Sequence, residues 1–420
     1  MNIRDFKHAG HLPTLIAAFL YFDFSFMVWV TLGPLMTYIA KDLDIAVADR
    51  FTLVAIPILS GAAFRIILGA MADHVGGRRT AIIAQSLVIG AVAYAWQFGL
   101  HNQMQVELFG AALGIAGASF AVALPQASRW YPPRYQGVVM GITGAGNMGV
   151  VLDALLVPSL AHSYGWQNAL GTLLVPLVLT LVFYIAAAKD APSAGKKVTL
   201  ESYGAVLKNT DCWWFMFFYF ITFGGFVGLA NALPLYFSLQ YGVSGVAAGV
   251  MAAIVVACGS IFRPIGGHVA DRIGGIATLT VLFAIVSLAY FAVAFLPSGS
   301  APPNGSSGWT VAEMPAIAWL SVLLFSGGVL SLGMGNGAVF QLVPQRFRRE
   351  IGVVTGLVGC AGGIGGFFLA KTLGISKEMT GGFSAGFLFV SVLACIGLAG
   401  LLLVKDRWRA TWGAASGARI

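Results

Sequence analysis

Charged residues are scarce in this 420-residue chain, in which Asp, Glu, Lys and Arg together make up only 10%. A soluble domain carries about 25% charged residues, so this sequence cannot cover a surface that faces water. The four cysteines include no Cys-x-x-Cys pair, and the six histidines are scattered. We therefore expect no disulfide framework, no metal site and no cofactor. His-Glu-x-x-His and P-loop motifs are also missing, which argues against an enzyme.

Long apolar runs take the place of charge, and 58% of the residues are apolar. A helix of about 20 such residues crosses a hydrocarbon core about 30 Å thick. The runs are continuous, without the alternation of barrel strands. We predict twelve transmembrane helices, at about 11–40, 52–73, 80–100, 106–130, 138–162, 167–188, 212–240, 245–270, 276–297, 315–345, 351–373 and 382–404.

Lysine and arginine are distributed unevenly over the predicted loops. Of the 24, 18 fall in the termini and in loops on one side of the predicted topology. Loops rich in Lys and Arg face the cytoplasm, so both termini are predicted to be cytoplasmic, as in a multi-pass protein of a bacterial inner membrane. The net charge of +8 is then a topology signal. We expect membrane lipid, and no nucleic acid, as a partner.

An arginine within an apolar run recurs at the same place in both halves of the chain. Residues 61–77 (GAAFRIILGAMADHVGG) contain Arg65, and residues 259–275 (GSIFRPIGGHVADRIGG) contain Arg263. With a shift of 198 positions, nine of these seventeen residues are identical. An ionisable side chain at membrane depth is energetically costly and indicates a functional role. The sequence therefore predicts two copies of one membrane unit, each with a buried arginine.

A second repeat indicates the boundaries of the two copies. The segment GVVMG at 137 returns as GVVTG at 352, and the additional seventeen positions match an insertion the size of the Gly/Pro/Ser-rich loop 298–314. We expect that loop to be external and flexible. The prediction is an all-α membrane protein with two pseudo-symmetric six-helix bundles, 1–188 and 211–420, joined by a cytoplasmic linker, 189–210. This plan resembles that of the major facilitator superfamily.

Short polar loops follow the second and eighth predicted spans. Asp73, Arg78 and Arg79 follow the second, and Asp271 and Arg272 follow the eighth, each with two glycines that allow a tight reversal. The first loop resembles the cytoplasmic loop signature of the major facilitator superfamily. By that resemblance the loops act in gating and folding, and the aspartate caps or pairs with the start of a neighbouring helix. A simple tight turn is the alternative.

Glycines at spacings of three and four mark the fifth and eleventh spans. Gly144 and Gly146 precede Asn147 in the fifth span, and Gly362 and Gly363 lie in the eleventh. Such spacing allows another helix to pack closely, and it also exposes backbone to a small polar ligand. Packing alone accounts for the glycines but not for an asparagine among them. We therefore expect these five positions to line a binding site.

Six segments together resemble the nitrate/nitrite porter family. The glycine-rich spans carry the match, and FDFSFMVW at 22–29, SGAAFR at 60–65, YFITFGGF at 219–226 and NGAVFQ at 336–341 extend it over essentially the whole chain. The resemblance implies alternating-access transport of nitrate and nitrite by a protein that functions as a monomer. The side chains that it assigns to the anion are the charged Arg65 and Arg263, the hydrogen-bonding Asn147 and Tyr219, and the flanking Phe120 and Phe340.

The chemistry of nitrate agrees with this assignment. Nitrate is planar and singly charged, and a guanidinium is a planar fork of donors that pairs bidentately with such an anion. Aromatic faces on either side would exclude water and disfavour tetrahedral phosphate. For each arginine the alternative is an ion pair with Asp23 or Asp153. For the tyrosine and the two phenylalanines the alternative is ordinary helix packing.

The two arginines suggest how transport is coupled. Without an anion their charges repel each other, so we expect the loaded carrier to change conformation more readily, which leads to exchange of nitrate for nitrite. Proton-driven symport is the competing hypothesis, with Asp153 and Asp23 as candidate proton carriers and Lys371 as a weaker one. A carrier for another small anion, or a sensor, is a further alternative, although no soluble output domain is evident.

Overall fold

The computed structural model describes residues 9–192, 200–299, 308–347 and 351–413. Within these residues, twelve helical segments are long and apolar enough to cross a membrane, as the sequence predicts. We number them spans 1 to 12 in chain order: Leu12–Asp42, Val47–Val75, Gly77–Phe98, Gln103–Ser128, Val139–Tyr164, Trp166–Ala187, Thr210–Tyr241, Gly245–Ile273, Gly275–Ala294, Ala316–Arg346, Ile351–Thr380 and Ser384–Gly413.

Three spans in the first half are interrupted. The break in span 4 comes directly before Phe120 and the break in span 5 contains Asn147, two residues that the resemblance assigns to the anion, whereas the break in span 1 is at Thr31. In span 5 the break is a short 3₁₀ segment, a feature that often marks a functional hinge. The separate helices are Leu12–Val30 and Leu32–Asp42 in span 1, Gln103–Gly117 and Phe120–Ser128 in span 4, and Pro133–Gly144 and Gly149–Tyr164 around the 3₁₀ segment Ala145–Met148 in span 5.

The largest differences from the predicted boundaries are at the ends of spans 11 and 12. Span 11 continues to Thr380, so Lys371 lies within the helix and not near its end. Span 12 continues to Trp408 and closes with a short turn at Arg409–Gly413. Both predictions stopped early because they followed the most apolar stretch, whereas helices extend into the interface where polar ends meet water.

The predicted linker contains a further helix, Leu200–Leu207, while its residues 193–199 lie outside the described residues. Tyr203 of this helix approaches both halves of the protein. Its hydroxyl oxygen stands 4.0 Å from the position that a Cβ on Gly356 would take. Burial, and then the Asp73 carboxylate, raise the pKa of Tyr203. The linker helix therefore lies beside the ends of spans 2 and 11.

The two six-helix bundles pack together along spans 2 and 11, spans 5 and 8, and spans 1 and 7. Small residues make these contacts close. A Cβ on Gly363 would stand 2.7 Å from the Cβ of Ala62, and a Cβ on Gly249 would stand 2.7 Å from Cγ of Pro158. Ala62 and Gly363 lie near the middle of their spans, and Pro158 and Gly249 lie near the end that the loop charges predict to be external. The bundles are thus in close contact at that end.

The opposite end of the same spans is less crowded. A Cβ added to Gly141 or Gly144 in span 5, or to Gly352 in span 11, would meet nothing within 4 Å. These glycines lie toward the end that the loop charges predict to be cytoplasmic. The structure therefore combines a tight contact at one end of the bundle interface with open space at the other.

Candidate functional site

Arg65 is buried near the middle of span 2, with 2% of its surface exposed. Its Nε donates a hydrogen bond to the carbonyl of Gly117 at 3.2 Å, and its Nη1 donates one to the carbonyl of Gly359 at 2.5 Å. The first carbonyl ends a helix of span 4 and the second belongs to span 11. Nη2 is buried without a partner among the described residues. One donor of the guanidinium is therefore left for a ligand.

Arg263 occupies the equivalent position in span 8 and is 8% exposed. Its Nη2 donates a long hydrogen bond of 3.4 Å to the hydroxyl of Tyr219 in span 7. Its Nη1 is buried, and no group in the described parts of the chain accepts a hydrogen bond from it. The two guanidinium groups are close enough to repel each other. The structure thus brings together the two cations that the sequence repeat predicts.

Aromatic rings surround both cations. The guanidinium carbon of Arg65 lies 5.7 Å from the ring centroid of Phe120, and that of Arg263 lies 5.8 Å from the same centroid. Phe340 completes the cluster, with centroid distances of 6.1 Å to Phe120 and 5.0 Å to Tyr219. Ring faces attract cations and exclude water. Two cations beside one shared ring form an electropositive, apolar-walled centre suited to a small anion.

Asn147 lies in the 3₁₀ segment of span 5 and is 1% exposed. Its side-chain Oδ1 and Nδ2 have no hydrogen-bond partner in the part of the chain that the structure describes. Its backbone carbonyl accepts a hydrogen bond of 3.5 Å from the hydroxyl of Ser260 in span 8. A buried amide without partners is costly, so Asn147 has donor and acceptor capacity for a ligand. Its connection to span 8 ties it to the element that holds Arg263.

The four predicted glycines have different surroundings. A Cβ on Gly362 would stand 2.6 Å from the ring of Tyr219, so this glycine makes room for the aromatic cluster. Gly146 packs against Phe22 in span 1, and Gly363 packs against span 2. Gly144 has open space around it. Helix packing therefore explains Gly146 and Gly363, and Gly362 makes room for the aromatic rings of the site.

Several groups around the arginines received no role from the sequence. The ring centroids of Phe223 and Trp29 lie 4.9 and 5.3 Å from the guanidinium carbon of Arg65. Phe223 is one helical turn after Tyr219. Phe223 and Trp29 both lie in segments that carry the family resemblance, and that resemblance is the sequence signal by which they could have been found. Asn336, one turn before Phe340, is buried and neither of its amide atoms has a partner among the described residues.

The two carboxylates offered as alternative partners for the arginines do not pair with them. Asp23 in span 1 is 6% exposed and Asp153 in span 5 is completely buried. The salt bridges of the described residues involve only two other carboxylates, Asp73 and Asp211. The alternative reading of Arg65 and Arg263 as members of internal ion pairs is therefore wrong.

The predicted gating loop after span 2 is tied to neighbouring spans. Asp73 forms a salt bridge of 2.6 Å with Arg129, directly after the end of span 4, and not with the start of a helix. The backbone N–H of Arg78 donates to Asp190 at 2.9 Å, and its Nη2 donates to the carbonyl of Ile185 at 2.6 Å. These contacts bind the loop to the ends of spans 4 and 6.

The remaining loop residues, Arg79, Asp271 and Arg272, are exposed at the ends of their helices. The second bundle has its own ionic cluster at this end. Asp211 at the start of span 7 forms salt bridges of 2.6 Å with Arg346 and with Arg407. Each bundle is thus clamped internally at the end predicted to be cytoplasmic.

Comparison with known proteins decides the family. The family model described as Major Facilitator Superfamily matches residues 15–370. The chain belongs to the Major Facilitator Superfamily. Twelve helices of the described residues are long and apolar enough to cross a membrane, so this superfamily member is a multi-pass integral membrane protein. Membership in a family of transporters implies a transporter rather than an enzyme.

Curated relatives of this superfamily member agree with the resemblance that its motifs predicted. The "Nitrite extrusion protein" of Bacillus subtilis is 31% identical over 90% of each chain. The "Probable nitrate/nitrite transporter NarK2" of Mycobacterium tuberculosis is 33% identical over 88% of this chain and 90% of the relative. The "Probable nitrate transporter NarT" of Staphylococcus epidermidis is 28% identical over 92% and 94%. The predicted resemblance to nitrate/nitrite porters is confirmed.

Proposed function

We propose that this protein carries nitrate and nitrite across the membrane by alternating access, with the anion held between Arg65 and Arg263. The observation that carries the proposal is that each bundle contributes one buried guanidinium with a donor that lacks a partner among the described residues. Relatives that share about 30% of the sequence over nearly the whole chain are named as nitrate or nitrite transporters, which supports the choice of anion.

The unpartnered atoms define how nitrate is bound. Nη2 of Arg65 and Nη1 of Arg263 donate to different oxygens of the planar anion, and Nδ2 of Asn147 supplies a neutral donor to the third. The ring of Phe120, which contacts both guanidinium groups, lies against the face of the anion. Tetrahedral phosphate has no flat face to place there and carries more charge. The site therefore favours a planar monoanion.

The same pair of charges drives the conformational cycle. Closing the empty site brings two cations together where water is scarce, and their repulsion opposes closure. A bound anion reduces that repulsion, so the loaded carrier moves between inward- and outward-open forms more readily than the empty one. The close contact at the predicted external end and the open space at the other match an inward-open form. Exchange of anions follows from this requirement for a loaded site.

The orientation and organisation complete the proposal. The excess of Lys and Arg in one set of loops supports a cytoplasmic position for both termini and the linker, in the inner membrane of a bacterial cell. The bundles 1–188 and 211–420 are the two bodies that rock against each other, and the linker 189–210 joins them. Because both arginines come from one chain, a monomer contains a complete site.

Uptake assays in proteoliposomes test this function. Labelled nitrate enters vesicles loaded with unlabelled nitrate or nitrite, and the Arg65→Ala and Arg263→Ala variants are expected to reduce uptake to background. Arg50→Ala, on the same span as Arg65 but with its Nε bound to the carbonyl of Ile45, is the matched control and is expected to retain uptake. Robust uptake by either of the first two variants contradicts the proposed site.

Competing anions test the substrate. External nitrate and nitrite are expected to compete with the label, while phosphate and sulfate at the same concentration are expected to compete poorly because they are tetrahedral. If chloride or formate instead competes better than nitrate, the protein is a carrier for another small anion. In that outcome the two-arginine site stands and the choice of substrate is wrong.

A further inference from the structure

A cavity of about 330 Å³ lies at the end of the second bundle that the loop charges predict to be cytoplasmic. The start of span 7 and the ends of spans 10 and 12 form its walls. Its polar lining includes Asp211, Arg346, Arg407 and the indole of Trp412. The volume is in the range of small-molecule sites, about 300–1,000 Å³. The transport cycle proposed above uses none of these four residues.

The cavity carries more positive than negative charge. Nε of Arg346 and Nη2 of Arg407 each donate to the Asp211 carboxylate at 2.6 Å, and the Trp408 indole donates to the same carboxylate at 2.8 Å. Neither guanidinium has a further acceptor within the described residues, and the two side chains are 29% and 48% exposed. Two cations on one carboxylate therefore leave one positive charge unbalanced and several N–H donors accessible to a ligand.

An indole N–H in the cavity wall also lacks an acceptor. Nε1 of Trp412 is buried and has no hydrogen-bond partner in the part of the chain that the structure describes. The ring packs on Trp408 and Phe215, with centroid distances of 5.4 and 6.4 Å, and these contacts hold the indole in place. A buried donor without an acceptor is costly. A ligand with acceptor oxygens in the cavity would remove that cost.

The start of span 7 adds a further preference for an anion. Asn209 and Thr210, at the beginning of this 32-residue helix, line the cavity. The first N–H groups of a helix have no partner within it, and the helix dipole places partial positive charge there. Guanidinium groups pair with phosphate oxygens through two parallel hydrogen bonds. The arginines, the indole and the helix start together suit a phosphate group.

Exposed apolar side chains beside the cavity indicate that it lies at the membrane surface. Trp213, two residues after Asp211, is 55% exposed, and Leu403, one turn before Arg407, is 79% exposed. Tryptophan is enriched where a membrane meets water, and an exposed leucine beside it suits lipid tails. Basic pockets between transmembrane helices on the cytoplasmic side bind anionic lipid headgroups. The position therefore favours a lipid phosphate over a phosphate dissolved in water.

We propose that this cavity binds the phosphate of one anionic phospholipid from the cytoplasmic leaflet. Arg346 and Arg407 donate to the phosphate oxygens, and Nε1 of Trp412 adds a neutral donor. Asp211 stays bound between the two arginines and keeps them side by side. The cavity is separate from the anion site, so lipid binding and nitrate transport are tested independently of each other.

A bound headgroup joins the ends of helices that lead to the anion site. Asp211 lies two turns before Tyr219 in span 7, and Arg346 lies less than two turns after Phe340 in span 10. A phosphate held by spans 7, 10 and 12 ties these helix ends together in the second bundle. A ligand that binds only the folded protein stabilises it. The lipid is therefore expected to raise the unfolding temperature.

Lipid titration of the purified full-length protein in a neutral detergent tests the site. Phosphatidylglycerol is the anionic probe, phosphatidylcholine the zwitterionic probe and inorganic phosphate the soluble probe. Native mass spectrometry counts the bound lipids, and the unfolding temperature is followed as each probe is added. The wild type is expected to bind one phosphatidylglycerol more tightly than phosphatidylcholine and to unfold at a higher temperature with it. Inorganic phosphate at the same concentration is expected to change the unfolding temperature little.

Three variants of the cavity test the donors. Arg346→Gln and Arg407→Gln are each expected to weaken phosphatidylglycerol binding about tenfold, because each removes a charged hydrogen bond. Trp412→Phe keeps an aromatic ring and removes one neutral donor, so binding is expected to weaken about threefold. The N–H that it deletes has no partner among the described residues, so this variant loses no hydrogen bond within that part of the protein.

A matched control and the contrary outcomes complete the experiment. Arg409→Gln removes an exposed arginine two residues after Arg407 that does not line the cavity, and it should bind phosphatidylglycerol as the wild type does. Equal weakening by Arg409→Gln and Arg407→Gln indicates diffuse attraction to surface charge and overturns the site, as does unchanged binding in all three cavity variants. Equal affinity for the two lipids, or equal stabilisation by inorganic phosphate, overturns the assignment to an anionic lipid.

Discussion

Arg65 and Arg263 hold equivalent places in two copies of one repeat, yet the structure surrounds them differently. Arg65 is fixed by two backbone carbonyls from spans 4 and 11. Arg263 has one long hydrogen bond, to the Tyr219 hydroxyl. Backbone acceptors move only with their helices, whereas a tyrosine hydroxyl moves with a side chain. In the proposed transport cycle, the first arginine is therefore a fixed anchor, and the second is able to follow the anion as the bundles move.

Replacement of each arginine by lysine tests this difference most strongly. Arg65→Lys keeps the charge but cannot satisfy both carbonyls and the anion, so the loss of two charged hydrogen bonds predicts a fall in nitrate uptake of about 100-fold. Arg263→Lys loses one weaker contact, for which we expect about tenfold. Initial uptake rates at several nitrate concentrations provide the measurement. Equal losses in the two variants contradict the asymmetry.

Glycine replacements in span 11 test the packing of the aromatic cluster. Gly362→Ala places a methyl group 2.6 Å from the Tyr219 ring and 2.9 Å from the Phe223 ring. Overpacking of this kind costs about 1–3 kcal/mol, so we expect uptake to fall about tenfold. Gly352→Ala, in the same span but with nothing within 4 Å, is the control and should behave as the wild type. A neutral effect of Gly362→Ala shows that the cluster adapts to the methyl group.

The tyrosine hydroxyl that binds Arg263 makes a smaller difference. Tyr219→Phe removes the only acceptor of the Arg263 guanidinium among the described side chains, and one hydrogen bond of about 1 kcal/mol predicts an apparent affinity for nitrate about fivefold weaker. Tyr290→Phe is the matched control, because its buried hydroxyl has no partner in the described residues. Unchanged affinity in Tyr219→Phe argues that the tyrosine serves only in packing.

The smallest expected effect concerns the loop after span 2. Asp73→Asn breaks the salt bridge to Arg129. The side chain of Asp73 is 15% exposed and that of Arg129 is 31% exposed. Such a partly exposed pair contributes about 0–1 kcal/mol, so a change in the uptake rate of about twofold is expected. Asp271→Asn, in the exposed loop of the other copy, should change the rate less. A larger change in the uptake rate for Asp271→Asn than for Asp73→Asn contradicts this prediction.

The sequence was sufficient for the architecture and for the identity of the central cations. Continuous apolar runs have one solution in a membrane, because every backbone polar group must be paired within its own segment. The repeat then indicated Arg65 and Arg263, since an ionisable side chain at membrane depth is costly and indicates a functional role. Twelve spans were predicted and twelve are present in the described residues.

The partners of the arginines could not be predicted in the same way. The carbonyls of Gly117 and Gly359 are backbone groups, and any residue type offers the same atom. Their availability depends on the break in span 4 and on the close approach of span 11, which are tertiary features. For the same reason the sequence left Asp23 and Asp153 as possible partners of the arginines, although neither forms a salt bridge among the described residues. Lys371 is expected from the sequence near the end of span 11, because polar helix ends resemble loops in composition, whereas the helix continues to Thr380.

The number of nitrate ions bound per chain tests the central claim most directly. Calorimetric titration of the purified protein with nitrate is expected to give one ion per chain, and binding should be lost in Arg65→Ala and in Arg263→Ala alike. The double variant should bind no more weakly than either single variant, because one shared site is already absent. Two ions per chain, or one arginine variant that still binds nitrate with wild-type affinity, contradicts a single site between the bundles.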